Sequence, residues 1–142
     1  MPREVDIRDL PKMFEKALYN TLFRVANRVR SRAKTIYAPE VTGNLRRSIL
    51  APEVTAPGQR PMKATIPIQA TYAEALHEGS KPHMITAKNA RALYWEGAAH
   101  PVKSVMHPGY KGNPYVEKAL NDVVENSLDD LFFDGFYSVF GQ

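Results

Sequence analysis

Residues 10–37 read LPKMFEKALYNTLFRVANRVRSRAKTIY, and this stretch decides the class of fold. Phe14, Leu18, Leu22, Val25, Val29, Ala33 and Ile36 recur at steps of three or four, which sets them on one face of an α-helix. Lys12, Glu15, Lys16, Arg24, Asn27, Arg28, Arg30, Arg32 and Lys34 take the other faces. Positive charge thickens toward the C-terminal end, where the helix dipole favours it. Asp9 is the expected N-cap, and Pro11 is tolerated in the first turn because its missing N–H would have no helical partner there. Pro39 stops the pattern. Such a helix is roughly 40 Å long. That is long for so small a chain, so it is expected to lie along one side of a sheet.

Downstream, Thr42 or Asn44 is placed to cap one short turn before residues 48–55, a strand candidate. Met62, Ala64, Ile66 and Ile68 alternate with Lys63, Thr65, Pro67 and Gln69, the period of a half-buried strand. Pro67 demotes that strand to an edge or a bulge, and residues 56–61 form the hairpin tip. A short helix over 72–78 ends at Gly79, strand candidates follow at 83–88 and 102–106, and residues 97–114 are rich in proline and glycine. Pro114 opens a helix expected over 114–134. Its apolar stripe is Val116, Ala119, Leu120, Val123, Val124, Leu128, Leu131 and Phe132, and its wet face is Asp122, Glu125, Asp129 and Asp130. Gly135 is expected to end it, leaving 135–142 as an aromatic tail. Strands clustered between two helices predict an α+β domain spanning 1–142. Its antiparallel, curved sheet of about four strands would pack against the long N-terminal helix and the C-terminal helix.

The chain has 142 residues and no cysteine, which excludes disulfide scaffolds, zinc ribbons, thiol catalysis and iron–sulfur clusters. No apolar run approaches the ~18 residues of a membrane span, and the N-terminus has no apolar core of a signal peptide. A cytosolic location with no membrane partner is the expectation. Charge is uneven. Residues 1–50 carry 11 Lys and Arg against 5 Asp and Glu, whereas residues 114–142 carry 1 against 6. Such asymmetry fits a basic end that meets nucleic acid, unlike patches that join subunits, or faces that are simply solvated or paired within one subunit.

Catalytic signatures are absent. His77-Glu78 opens like a zinc-protease motif, but Lys81 stands where the second histidine belongs. His83, His100 and His107 each adjoin a proline, which suits turns better than a metal site. There is no nucleophile elbow, no phosphate-binding glycine loop of either main type, and Gly109-x-x-Gly112 alone is weak. The chain is therefore read as a non-enzyme with no cofactor, acting through its surfaces. The long 97–114 segment is one such surface. The cluster Phe132, Phe133, Phe136, Tyr137 and Phe140 is another, and exposed it would be adhesive. The competing reading is a small basic nucleic-acid-binding protein using residues 24–34.

Three pieces of sequence then fall in a familiar order. Thr42-Gly43-x-Leu45-x-x-Ser48-Ile49 follows the basic helix. Tyr72-Ala73-x-x-Leu76-His77-Glu78-Gly79-Ser80 comes next. His107-Pro108-Gly109 precedes Asn113-Pro114-Tyr115-Val116-x-x-Ala119-Leu120. Over residues 10–130 this resembles the tail-completion and head–tail joining (neck, minor tail) proteins of long-tailed bacteriophages and prophages. The resemblance implies a structural virion protein, assembled in the host cytoplasm into a homo-oligomeric ring, a hexamer, at the neck. Its implied partners are the tail tube or tail terminator protein and the head connector or adaptor, with DNA passing through the ring. The candidate assembly residues are Arg24, Arg28, Arg32, Arg46, Arg47, His107, Tyr110, Asp129, Asp130, Phe136, Tyr137 and Phe140. The resemblance gives the aromatic end no role.

Overall fold

A computed structural model describes residues 4–39, 43–95 and 98–141. Helix α1 (Leu10–Arg32) continues through a π-helical turn, Ala33–Tyr37, and stops where Ala38 turns extended before Pro39. Then come α2 (Asn44–Ser48), β1 (Glu53–Val54), β2 (Ala64–Thr65), α3 (Ala73–Glu78), β3 (Gly79–Ser80), β4 (His83–Thr86), β5 (Ser104–His107), β6 (Tyr110–Lys111), α4 (Tyr115–Asn126) and α5 (Leu128–Phe140). The class is α+β, with all strand pairing antiparallel. Two compact units form, one from the chain up to Ala73 together with Tyr115 onward, the other from Glu74–Pro114. Among the described residues, no helix is long and apolar enough to cross a membrane.

The first unit is organised by α1 against α5, the most extensive helix–helix contact. At the centre of the seam the residues are small, Thr21 facing Gly135. Ala17, Thr21, Ala26, Val29 and Ala33 are the buried positions of α1 and its π-turn, and Leu131, Gly135 and Val139 those of α5. A Cβ on Gly135 would stand 2.7 Å from Thr21 Cα and 2.9 Å from its Cβ, so the backbones approach as closely as a missing side chain allows. Thr21 leaves no polar atom stranded in the seam, because its hydroxyl donates to Ala17 O at 2.9 Å. Beside it Asn20 Nδ2 donates to Ser138 Oγ at 2.9 Å, and that hydroxyl donates to Gly135 O at 2.6 Å. Tyr115, Ala119 and Val123 of α4 add the rest of the helical core, with Leu45 and Ile49 from the α2 region.

Several expectations change here. The buried face of α1 is rotated from the bulky stripe read in the sequence. Val29 and Ala33 are buried, but Phe14, Leu18 and Ile36 are exposed, because the close crossing admits only small side chains at its centre. Asp9 makes no side-chain cap. Asp6 caps a preceding 3₁₀ turn, Ile7–Asp9, by accepting from Arg8 N at 2.9 Å. Thr42 lies outside the described residues. Asn44 is the first residue of α2 and accepts from the Arg47 guanidinium, while Gly43 supplies a left-handed N-cap at φ +76°. Gly135 does not end the last helix. The chain breaks at Ser127 instead, and α5 runs through Gly135 to Phe140, so the expected tail is helix up to Phe140. The helix propensity lost at Gly135, about 1 kcal/mol, is offset by the packing it permits.

The strands do not merge into one four-stranded sheet. In the first unit, Ile49 bridges Ile68, and Glu53–Val54 pairs with Ala64–Thr65. Residues 50–52 face only 66 and 67, so the first arm carries one extra residue, a bulge beside Pro67. In the second unit β3 pairs with β6 and β4 with β5 in one constant register. Extending it sets Pro82 directly opposite Pro108, and neither residue has an N–H to give. One long ribbon is thereby split into two ladders. Gly79, at φ +91°, sits so close to the returning strand that a Cβ would come within 2.6 Å of Gly112 N and Tyr110 O. Asn113 N donates to Leu76 O at 2.9 Å and closes the base of the ribbon. Glu96 and Gly97, at the start of the expected irregular segment, lie outside the described residues.

Gly135→Val is expected to cost about 2 kcal/mol or more by overpacking the α1–α5 seam, read as a lower midpoint in urea denaturation. None of the described residues of Glu74–Pro114 is fully buried. Amides of the ribbon, 79–87 and 103–111, should therefore exchange with deuterium faster than those of α1 and α5.

Candidate assembly surfaces

With the seam occupied by small residues, the large side chains of α1 and α5 are displaced to its margin and outer surface. Phe14 meets Phe140 at 5.1 Å and Phe136 at 6.1 Å between ring centroids. Phe132 stacks on Phe136 at 4.5 Å, Phe136 on Phe140 at 6.0 Å, and Phe133 on Tyr137 at 5.7 Å. The rings order one another but are not covered. Phe14 is 49% exposed, Phe132 50%, Phe133 65% and Tyr137 59%. An open groove lined by Phe14, Phe133, Phe136, Tyr137, Phe140 and Gly141 runs between them. Half of four aromatic side chains is about 400 Å² of apolar surface, at the scale of the largest patches on monomeric proteins. Covering it would contribute ~10 kcal/mol gross, before the cost of association. Leu120 and Val124 of α4 and Leu128 of α5 add half-exposed aliphatic surface.

The basic side lies on α1. Arg24 and Arg28 line a second groove with Asn20, Phe23, Asn27, Ser31 and Leu131 of α5. Neither arginine has an acidic partner among the described residues. On α5, Asp129, Asp130 and Asp134 are exposed and likewise have no basic partner among the described residues. Arg32 differs, because its guanidinium stands 4.0 Å from Asp122 Oδ2 of α4. Asp122 accepts from Asn126 Nδ2 at 3.0 Å and from the Tyr37 hydroxyl at 3.1 Å. Those two hydrogen bonds, in that order, hold its carboxyl below the ordinary carboxylate range, with Arg32 adding a smaller push. The same contact raises the Tyr37 hydroxyl. At this point, then, the basic first helix pairs with α4 within one chain. Near the other end of α1, Glu15 is clasped by Arg60 at 2.5 Å and by Gly58 N at 3.1 Å, and the Arg60 bond lowers its pKa.

The remaining sequence candidates fall elsewhere. Arg46 and Arg47 lie on α2, and Arg47 bonds Asn44. His107 and Tyr110 lie on the ribbon of the second unit. His107 stacks on its cross-strand partner His83 at 5.0 Å, and its Nδ1 accepts from Gly109 N at 3.0 Å. His83 Nδ1 is 2.7 Å from Lys81 O, so that nitrogen carries the proton. Met84 and Met106 are paired across the same ladder and exposed. Among the described residues, no group of three or more His, Asp or Glu side chains is placed to hold a metal ion. The site residues that sequence reading missed are Phe14, Leu120, Val124 and Leu128. Each fits the helical period of a buried stripe, and periodicity cannot tell a covered face from an uncovered one. Comparison with protein-family models, with characterised proteins and with solved structures finds no match.

The folded-state pKa of Asp122 lies below its unfolded value, so its bonds add stability that is complete above about pH 4 and is lost as pH falls through the folded value. Glu15 has the same sign. In urea denaturation, Asp122→Asn is expected to start from a lower midpoint than wild type at neutral pH and to lose less of it on acidification.

Proposed function

We propose that this chain is a structural virion subunit that joins the end of a phage tail to the head connector and works by assembly. The observation that carries this reading is the set of ordered but half-exposed aromatic rings along α5 and Phe14. Rings held in place by neighbouring rings, yet open to solvent, are suited to anchoring a partner with little further loss of side-chain entropy. The resemblance over residues 10–130 supplies the context: a ring of copies, a hexamer, capping the tail and presenting a face to the connector. Arginines on α1 and carboxylates on α5 that have no partner among the described residues give such a subunit unlike patches, which a head-to-tail ring requires.

The test is genetic and visual. In a phage or prophage carrying this gene, its disruption should yield filled heads and finished tails that do not join, seen by negative-stain electron microscopy. Antibody against the chain should label the neck of intact particles. Arg24→Glu with Arg28→Glu should leave the monomer folded and sharply lower the yield of joined particles. Joined particles at normal yield in the disruption would remove this reading. A second reading, nucleic-acid binding by residues 24–34, draws on the same two arginines beside Phe23. It requires duplex binding whose logarithmic salt slope falls by about 2 in that double variant.

A further inference from the structure

We infer that the acidic aromatic face of α5 docks on a second copy of this chain, seated against the basic groove of that copy's α1. The inference deepens the assembly reading, taking from it only that copies associate. Two observations carry it.

The first is chemical complementarity. Asp129-Asp130-Leu131-Phe132-Phe133-Asp134 sets two half-exposed rings among three exposed carboxylates, and α5 has no basic residue at all. The groove on α1 is the counterpart. Arg24 and Arg28 stand one turn apart, with Asn27 and Ser31 as polar lining and Phe23, 42% exposed, as an apolar contact. A ring flanked by carboxylates matches a ring flanked by guanidinium groups in both its apolar and its charged parts.

The second is that these charges are left over. Asp122, Arg32, Glu15 and Arg60 find partners within the chain, whereas Arg24, Arg28, Asp129, Asp130 and Asp134 have none among the described residues. A contact in which one patch meets a different patch leaves a pair of copies with one of each free, so further copies add until a ring closes or a filament grows.

The experiment uses the purified full chain and sedimentation velocity over a range of concentration. Wild type should self-associate, less so at high salt. Asp130→Lys with Asp134→Lys, and separately Arg24→Glu with Arg28→Glu, should each weaken association by at least about tenfold, because like charges then meet across the contact. Circular dichroism and urea midpoints check that both variants fold. Mixed in equal amounts, the two variants should associate again, since the lysines of one face the glutamates of the other. A wild type that stays monomeric at its highest soluble concentration overturns the inference, as does a mixture of folded variants that fails to associate. Association lost in Phe133→Ser but unchanged in both charge variants also overturns it, because the rings would then meet rings. So does loss of duplex binding in the arginine variant with self-association intact. Failure of the virion reading would show differently, as particles without the chain, and would leave the sedimentation result standing.

Discussion

Everything in the first unit is arranged around the approach of α5 to α1 at Gly135 and Thr21. Two helix backbones can come this close only where one position has no side chain and the other is small and satisfies its own hydroxyl. Dispersion contacts fall off steeply with separation, so a close crossing recovers in packing what small residues lose in buried area. The same constraint excludes large side chains from the seam. Phe14, Phe132, Phe136 and Phe140 therefore form a layered cluster along its margin, with Phe133 and Tyr137 outside it. The surface offered to a partner is a direct consequence of how the core is filled.

The electrostatics divide along the same line. Near the C-terminal end of α1 the charges are absorbed internally, with Asp122 held by Asn126, Tyr37 and Arg32. Further back along α1, and on the outer surface of α5, they are not absorbed. Exposed ion pairs contribute little to stability in water, so arginines and carboxylates with no partner among the described residues cost the fold almost nothing. Left unpaired, they keep their capacity to steer and select a partner. The ribbon of the second unit shows a comparable economy. Its register is constant, yet Pro82 opposite Pro108 removes the donors between its two ladders and leaves short strand edges, which discourages edge-to-edge aggregation.

How much of this was legible in the sequence varies with the kind of signal. The long first helix, the helix start after Pro114, the short helix ending at Gly79 and the strand at 83–86 were readable, because periodicity and proline chemistry are local properties. The buried face of α1 was not. Its stripe of large residues satisfies a helical period as well as the small-residue stripe beside it does, and nothing local says which stripe a neighbour will cover. The path of α5 through Gly135 was hidden for a related reason. A glycine near a helix end has the composition of a stop signal, and only the presence of Thr21 across the seam turns it into a packing device.

The sequence by itself determined the α+β class, the antiparallel pairing, the separation of basic and acidic charge between the chain's ends, and the presence of an aromatic cluster. These follow from residue type and spacing. Tertiary structure alone decided which charges are neutralised within the chain, which rings remain open to solvent, and that the expected sheet resolves into separate ribbons. Those outcomes depend on distances between residues far apart in the chain, set by the closest approach of two helix backbones and by where two prolines happen to face each other.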